Sequence, residues 1–382
     1  MQDKLITIEL LKNLDIARFE IHLRPRVDAV LPPFLGSTLR GAFGHALKAI
    51  VCLMPHGDCA RCFLVDRCLY PKIFETSARN SRTQELQQTA PVLATSTLLK
   101  RGQDAPRPFI FIPPFPARRN GSMRARDDLL RSRVRVNAGE PVVFGLSLFG
   151  DAIQEVPHVI YAISLMAQHG FGAAHVPFVL EKVLELDSQG DRKLIYTEGS
   201  NRISARETSP PTLGGLVQAR LHQVITHGGS TGNEPASRDP QPAFGNEITL
   251  QFITPARLRI KGELIETPSF AQLITSLSLR LSLMAETFST RPLVYDYRSM
   301  IEKARSVKTR VSTLRLIALD RFSNRRSGKL QLDGFMGEIT FAGPVIAEFF
   351  PTLTAGEFIH IGSATAFGLG RYVISQRGSP TS

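Results

Sequence analysis

The chain has 382 residues, with 46 Lys and Arg against 34 Asp and Glu, which gives a formal net charge of +12. Its hydrophobic content of 43% is enough to form packed cores and excludes a wholly disordered chain. No apolar run approaches the roughly 20 residues that cross a bilayer, and the N-terminus lacks the pattern of a signal peptide. We therefore expect a basic, soluble, cytoplasmic protein of about two domains with no membrane partner.

The first half of the chain predicts the element order β-α-β-β-α-β. In residues 15–25, Phe19, Ile21 and Leu23 alternate with polar side chains, a period of two that is typical of a half-buried strand. Residues 36–51 carry apolar side chains at helical spacing. The remaining predicted elements are strands at 109–112, 142–149 and 178–186 and a helix at 156–167.

The second half repeats the same order. Its predicted helices are 268–288, with Thr267 as N-cap and Pro268 at the first position, then 300–307 and 344–353. Its predicted strands are 248–254, 314–319, 331–341 and 372–374. The repeat predicts an α+β fold of two tandem ferredoxin-like (RRM-like) domains, residues 1–198 and 246–382. Residues 199–245 are rich in Ser, Pro, Gly and Thr and are predicted to be a linker or mobile insertion.

All four cysteines fall within 17 positions, in a predicted insertion at about residues 52–74. They are Cys52, Cys59, Cys62 and Cys68. The central pair has the C-x-x-C spacing that tetrahedral Zn²⁺ sites use, and a closed Cys₄ site is structural rather than catalytic. A cytoplasmic setting disfavours disulfides. The alternatives are four unliganded thiols, since the outer spacings match no standard finger, or a site in which His56 replaces one cysteine.

The helix at 36–51 carries His45 on the side away from its apolar stripe, and Lys48 shares that side three residues later. A histidine titrates near neutrality and can move a proton in either direction, and a lysine can stabilise charge that develops on a phosphate. The plainer alternative is that both are ordinary surface residues.

The positive charge is most concentrated in residues 118–135, which we predict to be a basic loop between two strands. Its arginines are Arg118, Arg119, Arg124, Arg126, Arg131, Arg133 and Arg135, opposed by only Asp127 and Asp128. Clustered charge of this kind favours a polyanion partner such as RNA, DNA or an anionic surface.

A glycine-rich segment at residues 362–370 precedes the last predicted strand. Such a segment can bring backbone N–H groups close to phosphate oxygens, and the alternative is a tight turn. It is not a Walker loop, because the Gly-Lys-Ser/Thr ending is missing. We take Gly362, Ser363, Gly368, Gly370 and the adjacent Arg371 as candidate contacts to phosphate groups, together with Arg40.

Several stretches taken together resemble the RAMP superfamily of CRISPR-associated proteins, and specifically the endoribonucleases that process CRISPR precursor RNA. They are residues 36–44 followed by the cysteines and Tyr70, then 252–258, 261–262, 320–325, 334–343 and 360–370. Two departures are that Ser363 stands where relatives often have lysine, and that this chain has no tryptophan.

The resemblance implies metal-independent cleavage of repeat RNA in antiviral defence. In that reaction the 2′-hydroxyl attacks the adjacent phosphate and leaves 2′,3′-cyclic phosphate and 5′-hydroxyl ends. It maps the family's helix histidine to His45 and its phosphate-supporting lysine to Lys48, and it implies that the glycine-rich segment contacts RNA backbone. The implied partners are CRISPR repeat RNA and other CRISPR effector subunits.

Two other functions compete with the endoribonuclease. One is a non-catalytic RAMP subunit that holds guide RNA in an effector complex and binds the repeat without cutting it. The other is a zinc-containing DNA-binding protein, which would prefer duplex DNA to hairpin RNA. The chain contains no Ser-His-Asp spacing, paired-carboxylate motif or H-E-x-x-H, so hydrolases that need them have no support.

Overall fold

The structure is a computed structural model with a mixed α+β architecture, as the sequence predicts. It describes residues 5–54, 59–75, 105–114, 133–171, 174–200, 202–204, 206, 208–227, 245–260, 262–323 and 328–375. Among the helices it describes, none is both long and apolar enough to cross a membrane.

The first half forms a five-stranded antiparallel sheet with two long helices on one face. The strands are β1 (Ile16–Pro25), β2 (Ala29–Leu31), β3 (Phe109–Ile112), β4 (Val134–Val136), β5 (Val142–Phe149), β6 (Phe178–Leu186) and β7 (Arg192–Thr197). The helices are α1 (Ile8–Leu11), α2 (Gly36–Val51) and α3 (Val156–His169), with shorter helical turns at Cys59–Arg61, Pro71–Glu75 and Gly150–Glu155. The sheet order is β3-β5-β1-β6-β7, and β2 pairs separately with β4. Phe19, Ile21 and Leu23 of β1 face the helices and are buried, which confirms the predicted alternation.

The second half repeats this arrangement. Its helices are α4 (Leu213–His227), α5 (Phe270–Phe288), α6 (Tyr297–Ser306) and α7 (Phe350–Ile359), with short turns at Ile346–Phe349 and Thr365–Phe367. Its strands are β8 (Glu247–Ala256), β9 (Arg259–Ile260), β10 (Glu263–Leu264), β11 (Lys308–Ser312), β12 (Arg315–Ile317), β13 (Asp320–Ser323), β14 (Gly328–Gln331), β15 (Gly334–Ala342) and β16 (Tyr372–Ser375). The main sheet has the order β11-β15-β8-β16, with β12 also on β15, so its main strands follow the same order as β3-β5-β1-β6.

Two local predictions differ from the structure. The long helix α5 begins at Phe270, and its N-cap is Ser269 instead of Thr267. The Ser269 hydroxyl accepts from the Gln272 amide at 3.3 Å, while the Gln272 side chain accepts from the Ser269 amide at 2.8 Å. This capping box satisfies two amides at once, which a cap at Thr267 would leave without partners.

The segment predicted as a linker contains helix α4 and is not irregular there. Leu213, Leu216 and Val217 are buried and belong to the core of the second half. Arg220 of this helix pairs with Glu357 of α7, with its Nε 2.9 Å from the carboxylate. The flanking Ser, Pro and Gly content hid this short apolar face from composition alone.

The two halves share one hydrophobic core. Ile16, Ile110 and Phe149 from the first sheet belong to the same buried cluster as Leu250 and Leu273 of the second half. A hydrogen bond between the halves adds to this contact, because the Ser289 hydroxyl donates to the backbone carbonyl of Asn13 at 2.5 Å. Burial of apolar surface between the halves therefore sets their relative position.

The two ends of the glycine-rich segment, residues 360–361 and 369–370, meet at a neck that a buried histidine closes. His360 ends α7 with φ 59° and ψ 168°, a backbone region that is essentially restricted to glycine. Its imidazole is fully buried, and Nδ1 lies 3.2 Å from the carbonyl oxygen of Leu369. A carbonyl only accepts, so Nδ1 carries the proton. The neighbouring Ile361 amide donates to the Gly370 carbonyl at 2.9 Å, and the two bonds together close the loop.

We predict that His360 makes folding stability depend on acid pH. Burial, with Arg371 and Arg280 nearby, lowers the pKa of His360 to about 3, so the folded protein keeps it neutral. The unfolded chain takes up a proton below about pH 6.5, so stability is present above that pH and is lost as the pH falls from 6.5 towards 3. Between pH 7 and pH 5 this amounts to about 2 kcal/mol.

The measurement is urea unfolding of the wild type and His360→Asn at both pH values. The free-energy difference between the two proteins should shrink by about 2 kcal/mol at pH 5, because asparagine does not titrate. Equal pH dependence in both proteins would show that His360 is not buried neutral.

Candidate active site

Helix α2 begins in contact with the glycine-rich segment of the other half. A Cβ on Gly36, the first residue of this helix, would lie 1.9 Å from the carbonyl oxygen of Phe367. Only glycine permits this approach. Gly368 likewise permits a close approach to the end of β3, since a Cβ there would lie 2.3 Å from the Pro113 side chain and 2.6 Å from the Phe111 carbonyl oxygen. The glycines therefore serve close packing between the halves.

The glycine-rich segment is mostly buried. Thr365 to Gly370 are buried, whereas Ser363 is exposed and Gly362 is partly exposed. The Ser363 amide donates to the Arg257 carbonyl at 3.0 Å, and the Thr254 hydroxyl donates to the Gly368 carbonyl at 2.8 Å. Of the predicted RNA contacts in this segment, the structure makes Gly362 and Ser363 accessible and uses Gly368 and Gly370 to form the loop.

Arg40 links the two halves through its guanidinium group. Its Cζ lies 4.4 Å from the ring centroid of Phe74 and 4.7 Å from that of Phe367, so the group lies between a ring of the cysteine-rich segment and a ring of the glycine-rich segment. Each contact is a cation–π interaction. Phe74 itself packs where Gly44 has no side chain, since a Cβ there would lie 2.2 Å from the ring. Arg40 is half-buried between the rings of Phe74 and Phe367.

His45 lies on the same helix and is exposed, while its neighbours Phe43, Ala46 and Leu47 are buried against the sheet. The side away from the apolar stripe is therefore open to solvent, as the helical spacing predicts. An exposed imidazole on a rigid helix beside the glycine-rich segment can approach a bound polyanion and transfer a proton.

Lys48 is directed towards the cysteine-rich segment. Its ammonium nitrogen lies 5.7 Å from the ring centroid of Tyr70, and its charge acts on the thiol of Cys59. Burial is the main factor that raises the pKa of the Cys59 thiol, the Glu75 carboxylate raises it further, and Lys48 acts in the opposite direction. His45 and Lys48, the predicted pair, therefore lie on the same helix. The ammonium group of Lys48, however, is close to the ring of Tyr70.

The four cysteines surround one cavity of about 310 Å³. Cys52, Cys59, Cys62 and Cys68 all line it, as do Phe63, Tyr70 and Pro71. Among the described residues, no three His, Cys, Asp or Glu side chains already form a metal-ligand set. Chain folding therefore gathers the predicted ligands around one space, while His56 lies outside the described residues.

The basic loop falls largely outside the described residues. Five of its arginines lie outside the described residues, namely Arg118, Arg119, Arg124, Arg126 and Arg131. Arg133 and Arg135 are described and exposed, on or beside β4, which pairs with β2 immediately before α2.

Arg371, beside the glycine-rich segment, is half-buried. Burial lowers its pKa, while Glu357 acts to raise it. Its backbone amide donates to the Thr254 hydroxyl at 2.9 Å.

Sequence reasoning missed the residues that hold this arrangement together. Phe74 and Phe367 seat Arg40, and His360 closes the loop neck. Phe74 and Phe367 are distant in sequence, so no local pattern connects them. The one local signal of this arrangement was His360, which directly precedes Ile361 and Gly362. Its spacing did not distinguish it from an ordinary core residue.

Comparisons with known proteins match both halves. A family described as an N-terminal domain matches residues 14–208, just over half of the chain, and the CRISPR-associated endoribonuclease Cas6 family matches residues 250–372. An uncharacterized protein of Archaeoglobus fulgidus is 32% identical over 144 residues, which are 37% of this chain and 37% of that protein.

Among solved structures, a partial Cas6-RT-Cas1–Cas2 complex has a TM-score of 0.52 at 12% identity. The match covers 97% of this chain and 48% of that chain, so our chain spans about half the length of that relative. Thermus thermophilus Cas6 has a TM-score of 0.43 at 13% identity, with 95% of this chain and 99% of that chain covered. The first of these supports a shared fold.

The family matches extend over both halves, and the exposed histidine helix and the glycine-rich segment meet where those halves join. The chain therefore belongs to the family whose N-terminal domain matches residues 14–208, and its residues 250–372 match the CRISPR-associated endoribonuclease Cas6 family.

Proposed function

We propose that this protein is a CRISPR precursor-RNA processing endoribonuclease built from two tandem ferredoxin-like units. The observation that carries the proposal is the contact of the glycine-rich segment with α2, the helix that exposes His45. In support, the imidazole of His45 is exposed on this helix, and Ser363 and part of Gly362 are accessible in the segment that the helix contacts. The common strand order of the two main sheets supports the tandem units.

The reaction needs one proton-accepting group and one proton-donating group at the RNA backbone. The 2′-hydroxyl loses its proton and its oxygen forms a bond to the adjacent phosphorus, while the bond from phosphorus to the 5′-oxygen breaks and that oxygen gains a proton. The products are a 2′,3′-cyclic phosphate and a 5′-hydroxyl. His45 moves one of these protons. In this proposal no metal takes part in the step, and zinc is proposed only as a structural ion that the cysteines bind.

The proposed partner is hairpin repeat RNA. Stem recognition depends on shape and phosphate contacts, because side chains cannot read the deep, narrow major groove of A-form RNA. The exposed Arg133 and Arg135 are available for such contacts. The chain is similar in fold to a protein solved as a Cas6-RT-Cas1–Cas2 complex, which supports other CRISPR proteins as further partners.

One prediction of the proposed function concerns His45. His45→Ala should slow cleavage of the cognate repeat RNA by about 10²–10⁴-fold, the usual contribution of a positioned acid or base, with little loss of RNA affinity. Cleavage is measured as single-turnover rates in EDTA with end-labelled RNA, and a 2′-deoxy substitution at the cut site should block the wild type.

His169→Ala is the matched control, because His169 is also exposed on a helix, α3, and carries no proposed role. A wild-type rate in His45→Ala would remove His45 from the mechanism. A wild-type protein that binds the repeat and never cuts it would instead identify a non-catalytic RNA-binding subunit, and preference for duplex DNA would favour the DNA-binding alternative.

Another prediction of the proposed function concerns the end of the basic loop that the structure describes. Arg133→Ala with Arg135→Ala should reduce the slope of log affinity against log salt by roughly 1.4–1.8, because each lost phosphate contact removes about 0.7–0.9. The measurement is repeat-RNA binding titrated across a salt series.

Arg305→Ala serves as the control, since Arg305 is exposed on α6 and paired with Glu302 at 2.8 Å. An unchanged slope in the double variant would show that this loop does not contact RNA phosphates.

A further inference from the structure

The cysteine-rich segment is attached directly to the helix that carries His45. Cys52 is the C-cap of α2, and its amide donates to the Lys48 carbonyl at 3.0 Å. Two tight turns place the central pair, since the Cys62 amide donates to the Cys59 carbonyl at 3.3 Å and the Val65 amide to the Cys62 carbonyl at 3.1 Å. Cys68 then leads into the helical turn Pro71–Glu75, as the Lys72 amide donates to its carbonyl at 3.4 Å. These turns are the reason that four thiols distributed over 17 positions line one cavity.

An aromatic ladder connects this cavity to the contact between the two halves. Tyr70, which lines the cavity, stacks on Phe74 with centroids 5.4 Å apart and an interplanar angle of 24°. Phe74 stacks in turn on Phe109 of the sheet at 6.1 Å and 13°. The face of Phe74 supports the Arg40 guanidinium, and the face of Tyr70 supports the Lys48 ammonium. Two cations of α2 therefore rest on rings that the cysteine-rich segment provides.

Tyr70 and Ile73, at the end of the segment, are buried in the core of the first half, whereas none of the described residues from 52 to 69, which carry the cysteines, is classed as buried. Leu53 and Phe63 are each 82% exposed, so these large side chains do not anchor it to the core. Cys59 and Cys68 are only partly buried against the core of the first half. A short segment with so small a core usually depends on a metal or on disulfides for its shape.

We propose that Cys52, Cys59, Cys62 and Cys68 bind one Zn²⁺, and that this ion holds Tyr70 and Phe74 in the positions that seat Lys48 and Arg40. Soft thiolates favour zinc, and four of them make a closed tetrahedral site with no open position for chemistry. The thiols release their protons to solvent as they bind, and the cavity contracts around the metal because Zn–S bonds are about 2.3 Å. The ion acts as a brace between the cysteine-rich segment, α2 and the glycine-rich segment, so its loss should weaken RNA binding.

The first experiment measures metal content and does not depend on RNA. Full-length protein purified under reducing conditions, and dialysed against zinc and then buffer, should contain one zinc per chain by elemental analysis. Cys59→Ser with Cys62→Ser should reduce this to less than about a tenth, since two of four ligands are lost. A folded, fully reduced wild type without zinc would overturn the proposal, as would two disulfides or an iron–sulfur chromophore in its place.

The second experiment tests the brace and rests on the proposed RNA function. Zinc-stripped wild type should bind repeat RNA about tenfold more weakly than zinc-loaded wild type, and reloading should restore the affinity. Phe74→Leu should show a similar loss while it keeps one zinc per chain, because the change removes a ring of the ladder and no thiol. Leu53→Ala is the control, with full zinc content and unchanged affinity, because Leu53 is 82% exposed on the same segment and does not line the cavity.

The outcomes separate this proposal from the proposed function. Zinc-loaded protein that neither binds nor cuts repeat RNA would contradict the RNA function and leave the zinc site standing. Equal RNA affinity with and without zinc, in protein that cuts normally, would contradict the brace. Zinc loss in Phe74→Leu would likewise overturn the claim that the ladder transmits the effect of the metal without forming part of the site.

Discussion

The contact between the first residue of α2 and the glycine-rich segment is the constraint on which the rest of the site depends. Gly36 approaches the Phe367 carbonyl so closely that any other residue would displace it, and Gly368 does the same against β3. Arg40, one turn into the helix, then lies between Phe74 and Phe367. The helix that exposes His45 is thereby held against a loop from the other half of the chain.

Maintaining this contact has a cost in stability. His360 adopts a backbone conformation that is nearly exclusive to glycine, which costs of the order of 1–3 kcal/mol, and its burial keeps the imidazole neutral. A glycine would relieve the strain and would lose the hydrogen bond to Leu369. The Thr254 hydroxyl supports the same neck from β8, since it donates to the Gly368 carbonyl and accepts from the Arg371 amide.

Most of the elements were predictable, and the reasons differ between them. The alternation in β1 and the apolar stripe of α2 reflect burial of one face, which a period of two or of 3.6 records in the sequence. The start of α5 was predicted two residues early, because Pro268 preceded a better cap at Ser269. Helix α4 was missed because its buried face comprises few residues inside a stretch rich in Gly, Ser and Pro. Of the candidate site, the exposure of His45 followed from helical spacing, whereas the direction of Lys48 towards Tyr70 did not, since it depends on a residue outside the helix.

The sequence by itself determined the mixed α+β architecture, the identity of the helix with His45 and the grouping of four cysteines, because periodicity and spacing are local properties. Only the tertiary structure decided that the glycine-rich segment docks on that helix, that its last glycines are buried, and that Arg40 lies between two rings. Those outcomes depend on contacts between residues that are tens to hundreds of positions apart. Close packing selects such contacts through shape and burial, which a one-dimensional pattern does not encode.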